Sequence, residues 1–108
     1  MDDSLYFYKA IVTKVYDGDT ITVDLDLGCN VIFSDAKIRL LGINTPEIRE
    51  ISGIEVRDYV AKRILGKEVI IKTKKDKRGK YGRLLGTIFY KGDNINAELL
   101  EKGMALPY

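Results

Sequence analysis

Histidine is missing altogether from the 108 residues. That removes Ser–His and Cys–His nucleophilic pairs, His-ligated zinc and the side chain most often used as a general base near neutral pH. Any proton chemistry must come from carboxylates, lysine, tyrosine or metal-bound water. Cysteine occurs once, as Cys29, which excludes an internal disulfide and a cysteine-rich zinc site. No apolar run approaches the roughly 18 residues that a membrane span needs. The start, Met1-Asp2-Asp3-Ser4, carries acid where a secretory signal has positive charge, and no apolar stretch follows it. The expectation is a cytoplasmic chain, or a secreted one whose signal has been trimmed.

A large excess of either charge is also lacking: 18 Lys and Arg face 16 Asp and Glu, a net +2. With 45% hydrophobic and 31% charged residues, the composition is that of an ordinary globule, expected to form a single domain over residues 1–108. A domain of this length buries roughly two-thirds of its unfolded surface, enough for a core without staples. The small net charge conceals a segregation. Residues 62–83 hold ten basic side chains against Glu68 and Asp76, which leaves +8 there and −6 on the remainder. Residues 17–35 hold five aspartates and no Lys or Arg. Such a division suits a polyanion held near a cation site, although a charge run taken alone is also what a solvated surface looks like.

The hydrophobic pattern places the elements. Residues 21–27, Ile-Thr-Val-Asp-Leu-Asp-Leu, alternate apolar and polar side chains, the period of a half-buried strand. Asp17-Gly18-Asp19 before them is a turn signal, with a glycine free to take positive φ. Residues 5–15, rich in β-branched and aromatic types, are expected to be the hairpin partner. Residues 37–41 read as a third strand, stopped by Gly42 and by Pro46, which lacks an N–H for a ladder. In residues 54–65, Val56, Tyr59, Val60 and Ile64 share one helical face, and Gly66 is placed as the C-cap glycine. Residues 68–73 and 84–90 read as two more strands joined by a basic loop, 74–83. A short helix over 97–102 follows, with Asn96 as its N-cap and Gly103 as its stop. Three strands, a helix, two strands and a helix is the element order of a mainly β, five-stranded Greek-key barrel, the OB-fold.

Cutting a phosphodiester makes a definite demand on side chains. The phosphate repels nucleophiles, and more charge develops on its oxygens during attack. Paired guanidiniums or a metal ion must therefore surround it, and a base must serve the attacking water. Candidates stand at the element ends: Asp19 after the turn, Arg39 on a strand, Asn44, Thr45 and Glu47 in the loop that follows, and Arg83 after the basic loop. Each has a plainer reading. Asp19 is also an ordinary hairpin-turn residue, Glu47 and Arg83 are also surface residues, and Arg39 is also the partner of an ion pair with Glu47 or Asp19.

Three segments in order, Asp17-Gly18-Asp19-Thr20, Arg39-Leu40-Leu41-Gly42-Ile43-Asn44-Thr45-Pro46-Glu47 and Lys80-Tyr81-Gly82-Arg83, resemble the signature segments of the staphylococcal nuclease (thermonuclease) family. The later run Asn96-Ala97-Glu98-Leu99-Leu100-Glu101-Lys102-Gly103 is similar to its second helix, so the resemblance covers roughly residues 10–105. It implies a Ca²⁺-dependent nuclease that hydrolyses DNA and RNA, single-stranded or frayed, with little sequence preference and leaves 3′-phosphate ends. It implies Asp19, Asn44 and the main-chain carbonyl of Thr45 as metal ligands, Arg39 and Arg83 on the phosphate, and Glu47 as the group that serves the water. Lys80 and Tyr81 resemble the residues that hold a nucleotide's terminal phosphate. Lys74, Lys75, Lys77 and Arg78 would supply sequence-blind attraction to the backbone. Tyr108 stands near the family's later tyrosines and is not counted among the site residues.

The chain departs from the family pattern in three places. Asn44 stands where the best-studied member has an aspartate, so one charge is lost from the ligand set and weak Ca²⁺ binding is expected. The loop after Glu47 is short. The third, C-terminal helix is absent; a monomer is expected, with a dimer as the alternative because that absence bares a surface to be covered. A non-catalytic nucleic-acid- or protein-binding module on the same fold is the rival function. The nuclease reading requires residues 19, 39, 47 and 83 to converge on one pocket.

Overall fold

The computed structural model describes residues 7–46, 51–75 and 84–108. Strand β1 (Phe7–Asp17) turns through two residues into β2 (Thr20–Asp26), which pairs antiparallel with β3 (Ile32–Leu40). A two-residue strand β4 (Ile43–Asn44) precedes helix α1 (Ile51–Ile64). Strands β5 (Glu68–Lys75) and β6 (Leu84–Tyr90) follow, then β7 (Asp93–Asn94), helix α2 (Ile95–Glu101) and β8 (Leu106–Pro107). The sheet runs β3-β2-β1-β5-β6-β7, and a parallel pairing of Ile38–Leu40 with residues 84–86 joins β3 to β6. That last pairing closes five strands into the OB-type barrel. Among the described residues no helix is long and apolar enough to cross a membrane.

The barrel forms because alternate positions can be buried together. Ile21, Val23 and Leu25 point inward from β2, Ile38 and Leu40 from β3, and Ile71 and Ile88 from β5 and β6, each at most 1% exposed. Helix α1 lays Val56, Val60 and Ile64 into this interior at spacings of four, and α2 adds Ile95 and Leu99. Burying an aliphatic side chain of this size contributes about 1.5–3 kcal/mol, so these residues carry the fold. Gly86 is fitted by the same packing, since a Cβ there would come within 2.8 Å of Ile38 and 2.9 Å of Ile71.

Local expectations are corrected at several places. Strand β3 starts at Ile32 rather than at residue 37, because its first four residues are exposed and show no inward periodicity; pairing with β2 (Asp26 with Ile32, Leu25 with Phe33) makes them a strand. Helix α1 begins at Ile51 instead of 54, and β5 extends two residues past 73. Gly66, at φ +75°, does terminate α1, and its N–H donates to the carbonyl of Val12. The N-cap of α2 is Asn94, whose Oδ1 accepts from the N–H of Ala97 at 3.0 Å. Asn96 is buried instead, accepting from the N–H of Ile88 and donating to the carbonyls of Leu41 and Gly86. It ties α2 to β6 and to the end of β3. Gly18 is required for space and not for a positive φ, for a Cβ there would overlap Val56 and press Thr45 at 3.0 Å.

Candidate active site

Barrel closure brings the first turn against the end of β3. Thr20 is in register with Arg39, and the N–H of Leu40 donates to the carbonyl of Asp19 at 2.8 Å. The segment after β3 then folds back across the turn, because the N–H of Thr45 donates to Asp19 Oδ2 at 3.0 Å. Only a glycine at position 18 lets Thr45 and α1 come so close. Asp19 and Thr45 are both buried.

Arg39 reaches into the same place with a side chain only 15% exposed. Its guanidinium donates to the carbonyl of Ile43 at 3.2 Å and to Asn44 Oδ1 at 3.3 Å. It lies 3.6 Å from Asp19 Oδ2, beyond the 2.7–2.9 Å typical of a charge-assisted hydrogen bond. The ring of Tyr108 stands 5.1 Å from it. Strand β8 brings that ring there by pairing Pro107 with Ile43 and Leu106 with Asn44. A hollow of about 240 Å³ opens next to this strap, between Asn44, Thr45 and Pro46 on one side and residues 103–106 on the other.

Asp17 is the residue that sequence reasoning used only as a turn former. Its Oδ1 accepts from the N–H of Asp19 at 3.1 Å, so two carboxylates flanking a tight turn stand side by side. Burial, with the hydrogen bond and the charge of Asp19, pushes the Asp17 carboxyl up to about 6. Burial disfavours the charged form of Asp19 as well. Hydrogen bonds from Asp17 and from the Thr45 N–H, with the Arg39 charge, outweigh it and hold Asp19 below the usual carboxylate range. Asp19 is thus the more readily ionised of the pair, and Asp17 the one that holds its proton up to about pH 6. Two acids flanking a turn glycine is the sequence signal that could have found it.

Of the site residues expected from the sequence, Asp19, Arg39, Asn44 and Thr45 come together. Glu47, Lys80, Tyr81 and Arg83 lie outside the described residues, as do Lys77 and Arg78. The five aspartates of residues 17–35 divide: Asp17 and Asp19 join the site, while Asp24 and Asp26 accept the N–H groups of Asp35 and Gly28 on the exterior of the β2–β3 hairpin.

The donors at the turn suit a hard cation. Asp17, Asp19, Asn44 and Thr45 offer oxygen only, and Thr45 Oγ1 is buried with no hydrogen-bond partner. Among the described residues no group of three or more acidic, His or Cys side chains gathers to hold a metal. The charge on offer there is that of the aspartate pair.

Comparison with known proteins places the chain in a family. Residues 37–108 match the family model for staphylococcal nuclease homologues. The chain is 31% identical over 106 residues to protein ParB of Escherichia coli, covering 90% of this chain and 55% of that protein. It is 28% identical over 101 residues to a thermonuclease of Staphylococcus intermedius, covering 88% and 56%. To an uncharacterized endonuclease of Haemophilus influenzae it is 34% identical over 97 residues, covering 90% and 51%. The chain thus spans about half the length of these relatives.

Proposed function

Because the chain belongs to the staphylococcal nuclease homologue family, we propose that it is a phosphodiesterase acting on DNA and RNA, Ca²⁺-dependent, with little sequence preference and 3′-phosphate products. The observation that carries this reading is the convergence of Asp19, Arg39 and Thr45 at one turn. Among the described residues the hydrogen bonds of this mostly buried guanidinium go to a carbonyl and an amide, with Asp19 at 3.6 Å, an arrangement that suits an added anion. A phosphate offers two coplanar oxygens to such a group.

In this proposal Arg39 and Arg83 hold the two non-bridging oxygens and balance the charge that grows on them. Supporting the pairing, β6 begins at Leu84, next to Arg83 in the chain, and Leu84 is in register with Ile38, next to Arg39. Glu47, two residues beyond Thr45, accepts a proton from the attacking water. The water oxygen bonds to phosphorus and the bond to the 5′ oxygen breaks, leaving phosphate on the 3′ side and a 5′ hydroxyl. Asp19, Asn44 and the Thr45 carbonyl would hold Ca²⁺, with Asp17 beside them. That ion, when bound, acidifies water and offsets phosphate charge. Lys80 and Tyr81 would hold the terminal phosphate, and the protein would act as a monomer on single-stranded or frayed polymer.

The test is incubation with single-stranded DNA and RNA, in Ca²⁺ or chelator, alongside Glu47→Gln. Cleavage that needs Ca²⁺ and collapses in Glu47→Gln is expected. Tight binding without cleavage at millimolar Ca²⁺ would instead mark a binding module, the reading that Asn44, lacking the carboxylate charge, favours.

A further inference from the structure

A second concave place lies along α1, away from the Asp19 turn. It is a groove of about 440 Å³ lined by Tyr59, Lys62, Arg63, Lys67 and Tyr90. Three of these, Lys62, Arg63 and Lys67, open the basic stretch of residues 62–83, and the proposed chemistry uses none of them. The basic residues in the last turn of α1 are Lys62 and Arg63, where positive charge offsets the helix dipole. That accounts for neither Lys67, which lies beyond the helix, nor Tyr90, which comes from β6.

The charges differ in how they are used. Arg63 is consumed by Glu98 and Asp93, donating to both. Lys62 and Lys67 are exposed and have no ion pair among the described residues. Arg63 lies 5.4 Å from the centre of the Tyr90 ring, Lys91 also 5.4 Å from it, and Lys102 lies 5.8 Å from that of Tyr59. Glu98 and Asp93 are thus taken up by Arg63, and half-buried aromatic rings share the groove with cations. Ammonium groups and rings lining one groove are the elements by which single-stranded nucleic acid is held without regard to sequence: phosphate on the lysines, a base against a ring.

The distance suits a continuous strand. Val56 packs where Gly18 makes its turn, and Arg63 follows seven residues later on the same helix, about 10 Å along the axis. One barrel of this type covers roughly 4–16 nucleotides. We propose that this groove is an exosite for single-stranded polynucleotide, holding the polymer one to three helical turns from the cleavage site. The proposal rests on the nuclease reading for its biological sense, and its test does not require cleavage.

Fluorescence anisotropy with a labelled 12-nucleotide oligothymidylate in chelator reads the groove directly. Lys62→Gln combined with Lys67→Gln is expected to weaken binding about ten-fold at low salt. It should also lower the slope of log affinity against log salt by about 1.4, the value for two phosphate contacts on a single strand. Tyr90→Leu is expected to weaken binding about five-fold or more through lost stacking. Hydrolysis of a dinucleotide, too short to reach the groove, should stay within about two-fold of the parent for both variants. The control is Lys14→Gln with Lys37→Gln, an equal change in net charge on exposed positions of β1 and β3. The exosite is overturned if the groove pair binds like the parent, if the control pair loses as much, or if polyglutamate of matched charge competes as well as the oligonucleotide. A parent that cuts nothing but binds through Lys62 and Lys67 would sink the nuclease reading alone.

Discussion

Arg63 donates to Glu98 at 3.1 Å through two nitrogens and to Asp93 at 2.8 Å, whereas Arg39, the less exposed of the two, stands 3.6 Å from the carboxylate of Asp19. Their side chains are 26% and 15% exposed. Desolvation therefore asks more of Arg39, yet among the described residues its hydrogen bonds go to neutral acceptors. Glu98 also accepts a hydrogen bond from the Tyr59 hydroxyl at 2.5 Å, so the Arg63 cluster clips α1 to α2. Among the described residues, the arginine of one cluster is taken up by two carboxylates, and that of the other hydrogen-bonds only to a carbonyl and an amide. An arginine saturated by carboxylates is a structural clamp, while a mostly buried one held by a carbonyl and an amide is set for an incoming anion.

The sharpest break in that comparison is substitution of each arginine. Arg39→Lys should lower kcat on a dinucleotide by about 10²–10³-fold, the usual effect of losing one preorganised donor to a developing oxyanion, with little change in thermal stability. Arg63→Met should do the reverse. Dinucleotide turnover is expected to stay within about two-fold, while unfolding stability in urea falls by about 2 kcal/mol, since a partly buried Glu98 loses charged hydrogen bonds.

Next in size is Asn96→Ala, which tests whether the α2 side of the molecule is structural throughout. It strands the N–H of Ile88 and weakens the environment of two carbonyls, so a loss of about 2–3 kcal/mol is expected by urea titration.

The pH dependence of stability sharpens the contrast, because Glu98 and Asp17 are shifted in opposite directions. Glu98 is held below its ordinary value by Arg63 first, so its contribution is complete above the usual carboxylate range and is lost as pH falls through its lowered value. Asp17 is raised to about 6, mainly by burial, so the folded state binds its proton more tightly. Its contribution is complete in acid and is lost as pH rises to about 6. Asp17→Asn should therefore flatten the decline between the ordinary carboxylate range and pH 6, and Glu98→Gln the decline in stronger acid. Urea melts across pH 2–8 separate them.

The smallest expected effect concerns the cation. With one carboxylate fewer than the family's best-studied member, Ca²⁺ binding without substrate should be millimolar, so 10 mM Ca²⁺ adds only about 1 kcal/mol of stability. Asn44→Asp should tighten binding about ten-fold by calorimetry. Micromolar affinity in the parent protein would contradict this reading of the ligand set.

Much of the barrel could be read without coordinates wherever burial alternates, as in β2, where Ile21, Val23 and Leu25 all turn inward. It could not be read in the first half of β3, where residues 32–35 are exposed on every position and pairing alone defines the strand. The four residues proposed for the site that fall in the described structure were all legible as residue types at element ends. Their relations were not. Asp17 looked like a turn former, and neither the carbonyl of Ile43 nor the ring of Tyr108 announced itself as a neighbour of Arg39.

The amino-acid order alone settled the chemical inventory: no histidine, so any proton chemistry falls to carboxylates, lysine, tyrosine or metal-bound water, with the periodicities that make strands and a helix of its middle. Tertiary structure decided which groups use that chemistry on one another. Asn94 and Asn96 are the same side chain two positions apart, and one caps a helix while the other ties two strands, because only the folded core sets which unpaired backbone groups each can reach. Asp19 meets Thr45 across 26 residues of chain for the same reason. Local sequence governs which way a side chain points, but which partner it finds depends on a barrel that exists only once all its strands have closed.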